Sequence, residues 1–264
     1  MPSLTQPAQT RRPHCADDLA VAGQTLADAQ PAVSAHALSA LAVVIPVGPS
    51  DDSWPALLSD LSGLPPGAQI CLVGCAASTL VTPDARLLGA TRADVQWRLV
   101  GRGRALQQNA GARATTNPWL WFLHADSRLG PATLNALARV IKSDDGDGIG
   151  YFDLAFHDGP ALMRVNACGA WLRSRVLGLP FGDQGLFMPR AAFERLRGFD
   201  ERCARGEDHA MIWQAKRLGI PLRAAGAPLY TSARKYAEHG WLTMTARHVA
   251  MTWQQARVFS RHER

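Results

Sequence analysis

The chain has 264 residues, 47% of them hydrophobic and 19% charged, which excludes a wholly disordered polypeptide and supplies enough apolar material for one large core. A net charge of +6 suits an anionic partner without choosing among phosphate, membrane surface and nucleic acid. Seven Lys or Arg against two acids between Arg223 and Arg264 put +5 of that charge at the C-terminal end.

Five cysteines, odd in number and scattered, do not form a disulfide framework. Cys71 and Cys75 lack a second Cys or His pair at zinc spacing and read as buried strand thiols. The opening residues have no compact apolar run, so no secretory leader is expected. No apolar stretch reaches the roughly 18 residues of a spanning helix. A cytoplasmic protein is expected, with peripheral contact to the inner face of a membrane through its C-terminal tail as an option.

Residues 1–39, rich in Ala, Gln, Ser, Thr and Pro without a sustained period, are expected to form a mobile N-terminal extension. Leu41–Val47 is then a buried strand, and Ser53 caps a helix through Leu61. Ile70–Val73 is the next strand, closed by Gly74, and Val95–Val100 is a third. Gly101–Arg104 leads into a helix of about ten residues. Trp119–Leu123 is a fully buried strand that delivers His124, Ala125 and Asp126 at its C-terminal end, where ligands of open α/β sheets bind. Pro131 opens a helix to about Ser143. Further strands are expected at Tyr151–Phe156 and Gly185–Met188, with helices at 161–176 and 190–197. Glu207 and Asp208 open a helix with Met211, Ala215 and Leu218 on one face, stopped by Gly219. The basic segment 236–264 reads as a helical tail. Strands alternating with amphipathic segments specify an α/β domain over residues 40–235.

A carboxylate beside a hydroxyl at the mouth of a buried strand suits a hard cation bridging protein to diphosphate, and Asp126 with Ser127 fits. Capping of the next helix or closing of a turn explains Asp126 equally well. His124 is open between a phosphate donor, a partner of the carboxylate and an ordinary strand-end residue. Arg102 and Arg104 lie at a strand-to-helix turn that favours phosphate, although a solvated basic loop has the same composition. The helix dipole accounts for Glu207 and Asp208 without function, while their place near the rim would let one deprotonate an acceptor hydroxyl.

Taken in order, these pieces resemble the family-2 glycosyltransferases of the GT-A fold, and more narrowly their arsenosugar-biosynthesis-like branch. The resemblance is carried by Val44-Ile-Pro46, Gly101-Arg-Gly-Arg104 with Gln107-Gln-Asn-Ala-Gly111, Phe122-Leu-His-Ala-Asp-Ser127, Gly182-Asp-Gln184, Gly198-Phe199, Glu207-Asp208, and Thr231-Ser232 with Arg234. It implies a Rossmann-like, mostly parallel sheet flanked by helices. It also implies a UDP- or GDP-sugar donor, Mg²⁺ or Mn²⁺ at Asp126, and inversion at the anomeric carbon on a small or lipid-linked acceptor. The donor would lie against Pro46, Arg102, Arg104, Asn109, His124, Asp126 and Gln184. The catalytic carboxylates would be Asp208, Glu207 and Asp183, with Asp208 as base. Where relatives end the second strand in an acid that contacts the nucleoside, this chain has Gly74. A degenerate relative that only binds a partner and a nucleotidyltransferase are the alternatives. The latter would carry a basic phosphate loop after the first strand, where Ile45–Pro49 has no basic residue. Nucleic-acid binding is not expected, because the arginines are not interleaved with an aromatic platform.

Overall fold

The computed structural model describes residues 31–76, 91–143, 147–203, 205–234, 236, 240–245 and 250. Helix α1 (Pro31–Ser39) precedes β1 (Leu41–Pro46), α2 (Trp54–Asp60), β2 (Gln69–Cys75) and β3 (Asp94–Val100). Then come α3 (Arg104–Ala114), β4 (Trp119–Phe122), β5 (Arg128–Leu129) and α4 (Thr133–Lys142). The second half contains β6 (Ile149–Phe156), α5 (Met163–Val176), a 3₁₀ turn (Gly182–Gln184) and β7 (Phe187–Pro189). It ends with α6 (Arg190–Arg195), α7 (Glu207–Arg217) and β8 (Leu222–Thr231). One eight-stranded sheet runs in the order β3-β2-β1-β4-β7-β6-β8-β5. The pairs β1–β2, β1–β4, β2–β3 and β6–β8 are parallel, and β7 runs antiparallel between β4 and β6.

The alternation along β1 builds two cores. Leu41, Val43 and Ile45 face a layer with Leu57 and Leu58 of α2 and Leu137 of α4, while Ala42 and Val44 face Ala112, Phe193 and Ile212 from α3, α6 and α7. Every residue of β1 is buried, as the continuous apolar run requires. Helix α3 lies so close to the sheet that a Cβ on Gly111 would collide with Val44 Cγ1. The Gln107 amide then reaches across two strand ends, donating to the carbonyls of Val47 at 2.8 Å and Val73 at 2.6 Å. Cys71 and Cys75 are buried free thiols in β2, and burial pushes Cys71 up to about 11 against the nearby Arg98.

Several local expectations change. Helix α1 begins inside the segment set aside as an extension, and its Ala37 and Leu38 are buried in the first core. Ser53 precedes α2 but bonds Asp51 at 2.7 Å instead of capping the helix. Gly74 does not close β2, since the strand continues through it to Cys75 in register with β3. Leu218 is exposed at the end of α7, off the buried face of Met211 and Ala215. Strand β8 had no counterpart in the sequence reading. Gly226, at φ +70°, and Pro228 interrupt its pattern, and its register with β6 shifts between Tyr151 and Asp153.

After β8, Asp158 accepts from Ser232 Oγ at 2.8 Å and from the Ala233 N–H, which fixes the Thr231-Ser232 segment against the end of β6. Residues 241–245 are helical. Trp241 Nε1 donates to Asn166 Oδ1 of α5 at 2.6 Å, and Met244 is buried with Met163 and Tyr236. The start of the tail therefore packs on α5. Trp253, Arg247 and Arg257 lie outside the described residues. No helix among the described residues is long and apolar enough to cross a membrane.

Candidate active site

Three segments far apart in sequence meet at Gly182. Its N–H donates to Asp208 Oδ2 at 2.6 Å. A Cβ built there would lie 3.1 Å from that oxygen and 3.2 Å from His124 Nε2. A side chain there would press on both groups, so glycine lets the backbone pass between the end of β4 and the start of α7 without either giving way.

The turn is held by Gln184, whose side chain is fully buried. Its Oε1 accepts from Arg173 Nη2 at 3.0 Å and from the Phe181 N–H at 3.1 Å, while Nε2 donates to the Phe152 carbonyl at 2.9 Å and to Ser174 Oγ at 3.2 Å. With its bonding capacity spent inside the protein, Gln184 shapes the turn and does not face a ligand. Asn109 is likewise engaged within the protein. It donates to the Phe199 carbonyl and Glu201 Oε1 and accepts from the Phe199 N–H, which clasps the Gly198-Phe199 loop to α3.

The carboxylates around Gly182 differ in kind. Asp208, half-buried in the first turn of α7, accepts from the Gly182 and His209 N–H groups. Burial works to raise its carboxyl, but His209, the Gly182 N–H, Arg104 and the His209 N–H outweigh it and hold Asp208 below the usual carboxylate range. Asp183 goes the other way. Burial raises it, and neighbouring Asp208 and Asp126 add to the rise against Arg173 and Arg104. Its Oδ1 is sealed from solvent with no hydrogen-bond partner among the described residues. Glu207 is also raised, by burial and Asp208, although Arg104 Nη1 stands 3.4 Å from its Oε1. His209 is driven down to about 4 by burial, despite Asp208, and its ring centroid is 3.6 Å from that of Phe181. Arg173 Cζ lies 3.2 Å from the Phe181 centroid.

Asp126 is half-buried and its charge is felt at Asp183, so the end of β4 belongs to the same field. Helix α4 begins at Thr133 with Ala132 as its N-cap, which removes the helix-cap explanation of Asp126. Ser127 is buried, with its Oγ sealed and unpartnered among the described residues, so the expected hydroxyl beside the carboxylate does not open onto the rim. Arg104 joins the site through Glu207. Arg102 is exposed on the preceding turn, and Pro46 is buried at the end of β1. At Gly74 a Cβ would meet Trp97 Cζ2 at 2.7 Å, so Trp97 fills the space of a side chain there. Sequence reasoning missed Arg173 and His209, which lie on helices otherwise read as amphipathic packing elements.

No group of three His, Cys, Asp or Glu among the described residues is placed to hold a metal ion. Asp126 offers one hard oxygen ligand, and the remaining ligands of a divalent cation would come from a bound diphosphate and water.

No family model and no curated protein matches the sequence. Solved structures do. A mannosyltransferase from Pyrobaculum calidifontis, PcManGT, in complex with GDP-Man and Mn²⁺, superposes with a TM-score of 0.58 at 19% identity, covering 82% of this chain and 63% of that one. S. aureus TarS superposes with a TM-score of 0.55 at 14% identity, over 73% of this chain and 36% of that one. Residues 1–349 of TarS in complex with UDP-GlcNAc give 0.50 at 15% identity, over 73% and 58%. The fold is that of the GT-A glycosyltransferases. In this GT-A sheet the β4 end, the 182–184 turn and the α7 start stand together. The chain spans about a third to two thirds of the length of these neighbours.

Proposed function

We propose that this protein is an inverting, family-2 glycosyltransferase of the arsenosugar-biosynthesis-like branch, moving a glycosyl group from a nucleotide sugar to a small or lipid-linked acceptor. The observation that carries this reading is the meeting of His124, Gly182 and Asp208 at one point, with Asp126, Asp183, Arg104 and Arg173 in the same electrostatic field.

Asp208 is the proposed base. Its two backbone N–H bonds fix its orientation and keep it ionised, and a carboxylate has about four acceptor positions, so the acceptor hydroxyl can still deliver its proton to it. Arg104, 47% exposed beside Glu207, is positioned for the donor phosphates at the start of α3. Asp126 would hold Mg²⁺ or Mn²⁺, which would stabilise the charge of the departing diphosphate. Glu207 keeps Arg104 at the rim, and Asp183 with Arg173 sets the acceptor side of the turn. The complexes of the structural neighbours, one with GDP-Man and Mn²⁺ and one with UDP-GlcNAc, support a nucleotide-sugar donor. Mass-spectrometric screening of the purified protein against a panel of sugar nucleotides, with and without Mn²⁺, tests the reading. Nucleotide release only in the presence of an acceptor extract is the expected outcome. Nucleotide binding with no transfer under any condition would favour the degenerate relative.

A further inference from the structure

The helix that lends Arg173 to the site has a second face that is open among the described residues. Inward, α5 is buried through Met163, Ala170 and Ser174. Outward, Val165, Leu172 and Val176 stand at spacings of seven and four, hence on one stripe, and they are 56%, 54% and 65% exposed. Leu162 before the helix extends the stripe, and Leu177 after it is exposed as well. A helix apolar on both faces is built to lie between two apolar environments, and a run of large exposed apolar side chains of this kind marks an interaction surface.

Charge decides the occupant. From Pro160 to Pro180 there are three arginines and no acid; Arg173 turns inward to Gln184 and Leu179, which leaves Arg164 and Arg175 on the outer side. Arg164 and Arg175 are exposed, the latter also reaching Asp153 at 3.0 Å from β6, and the partly exposed Trp171 ring lies 6.0 Å from Arg175 Cζ. Arginine and tryptophan bordering an apolar stripe are the composition of a helix that rests in a lipid interface. A second copy docked about a two-fold axis would instead set this segment against itself, arginine facing arginine with no acid in the segment to pair. We propose that the outer face of α5 docks on an anionic lipid surface. The surface is that of α5 itself. A helix with its side chains is about 10 Å across, so docking would hold the Arg173 and Phe181 side of the turn about one helix diameter from the headgroups.

The inference rests on the surface of α5 and stands apart from glycosyl transfer, so vesicle binding and nucleotide binding are measured separately. The full chain is sedimented with vesicles of equal parts phosphatidylcholine and phosphatidylglycerol, and with phosphatidylcholine alone. Wild type is expected to sediment with the mixed vesicles and less with the neutral ones. Leu172→Asp with Val176→Asp should lower the bound-to-free ratio by about tenfold or more, since each buried aliphatic side chain contributes that order of partitioning. The milder Val165→Gln should reduce it in the same direction, with circular dichroism and nucleotide affinity unchanged. No binding by wild type would overturn the proposal. Binding that survives the double variant would assign it to the tail. A concentration-dependent dimer lost in the variant, without vesicle binding, would make the occupant a second copy.

Discussion

Two polar regions flank α7, and they are organised in opposite ways. On one side a cavity of about 820 Å³, lined in part by Arg113, Arg197, Asp200, Arg202 and Gln214, contains charges that largely answer one another. Arg202 pairs with Asp200 at 2.9 Å, and Asn109 donates to Glu201 at 2.8 Å. At the other side, around Gly182, acids crowd together. Asp183 and Glu207 are both raised, and Asp183 Oδ1 has no hydrogen-bond partner among the described residues. A fold keeps desolvated like charges together only at a cost, so the crowded rim is where function is expected, in preference to the cavity.

The largest effects should separate Asp208 from Asp126. Asp208→Asn keeps a side chain for the Gly182 N–H but removes the proposed base. Turnover should fall by roughly two to four orders of magnitude with nucleotide affinity within a few-fold of wild type. Asp126→Ala should weaken Mn²⁺-dependent nucleotide binding and abolish transfer together. Calorimetry and product release on both variants check the pair, and near-normal turnover in Asp208→Asn would remove the base assignment.

His209 makes the imbalance visible as a pH slope. Its folded value of about 4 lies below the usual 6.5, so between those limits the unfolded chain binds a proton that the folded chain refuses. Stability from this group is therefore complete above about 6.5 and lost on acidification toward 4, by at most about 3–4 kcal/mol at 1.36 kcal/mol per unit. The raised carboxyls of Asp183 and Glu207 act with the opposite sign, so the comparison must be made against His209→Gln. Urea unfolding across this range should show a flatter acid limb in the variant, even though loss of the Phe181 contact lowers its stability at neutral pH. Equal slopes would mean that His209 titrates normally.

A smaller change tests the two regions directly. Asp183→Asn removes a desolvated charge from the acid cluster and should raise stability by about 1 kcal/mol while impairing transfer, whereas Glu201→Gln should lower stability slightly. If Asp183→Asn is destabilised instead, Asp183 is chiefly the ion partner of Arg173, and the rim is balanced like the cavity.

How much of this was legible in the sequence depended on whether the signal was local. The apolar runs of β1 and β4 announce themselves because both faces of each strand are buried. Strand β8 does not, because Gly226 and Pro228 break its pattern and only pairing with β6 across a register shift sustains it. Asp126, Gly182 and Asp208 could be picked out as motifs, but their meeting depends on the order of strands. Gln184 and Asn109 read as ligand contacts because an amide in a motif reads alike whether it faces a ligand or clasps a loop. Arg173 had no sequence signal beyond its place on an amphipathic helix.

The smallest effect concerns the wall of the cavity. Helix α6 ends in a left-handed turn in which the Gly198 N–H bonds the Phe193 carbonyl at 3.0 Å and the Arg197 N–H bonds that of Glu194 at 2.9 Å. This is the paired closure in which glycine usually takes the first left-handed position, yet Arg197 occupies it at φ +60°. An L-residue there costs roughly 1–2 kcal/mol, while glycine's greater freedom in the unfolded chain returns about 0.4–1 kcal/mol of that. Arg197→Gly should therefore gain under about 1 kcal/mol, read as a higher denaturation midpoint at unchanged slope. Gly198→Ala should do the reverse, because its φ is +71° and a Cβ would lie 2.7 Å from Asn109 Oδ1. Should Arg197→Gly be the less stable protein, the guanidinium must contribute more to the cavity wall than its backbone costs, and the balanced region would have a use for the charge it holds.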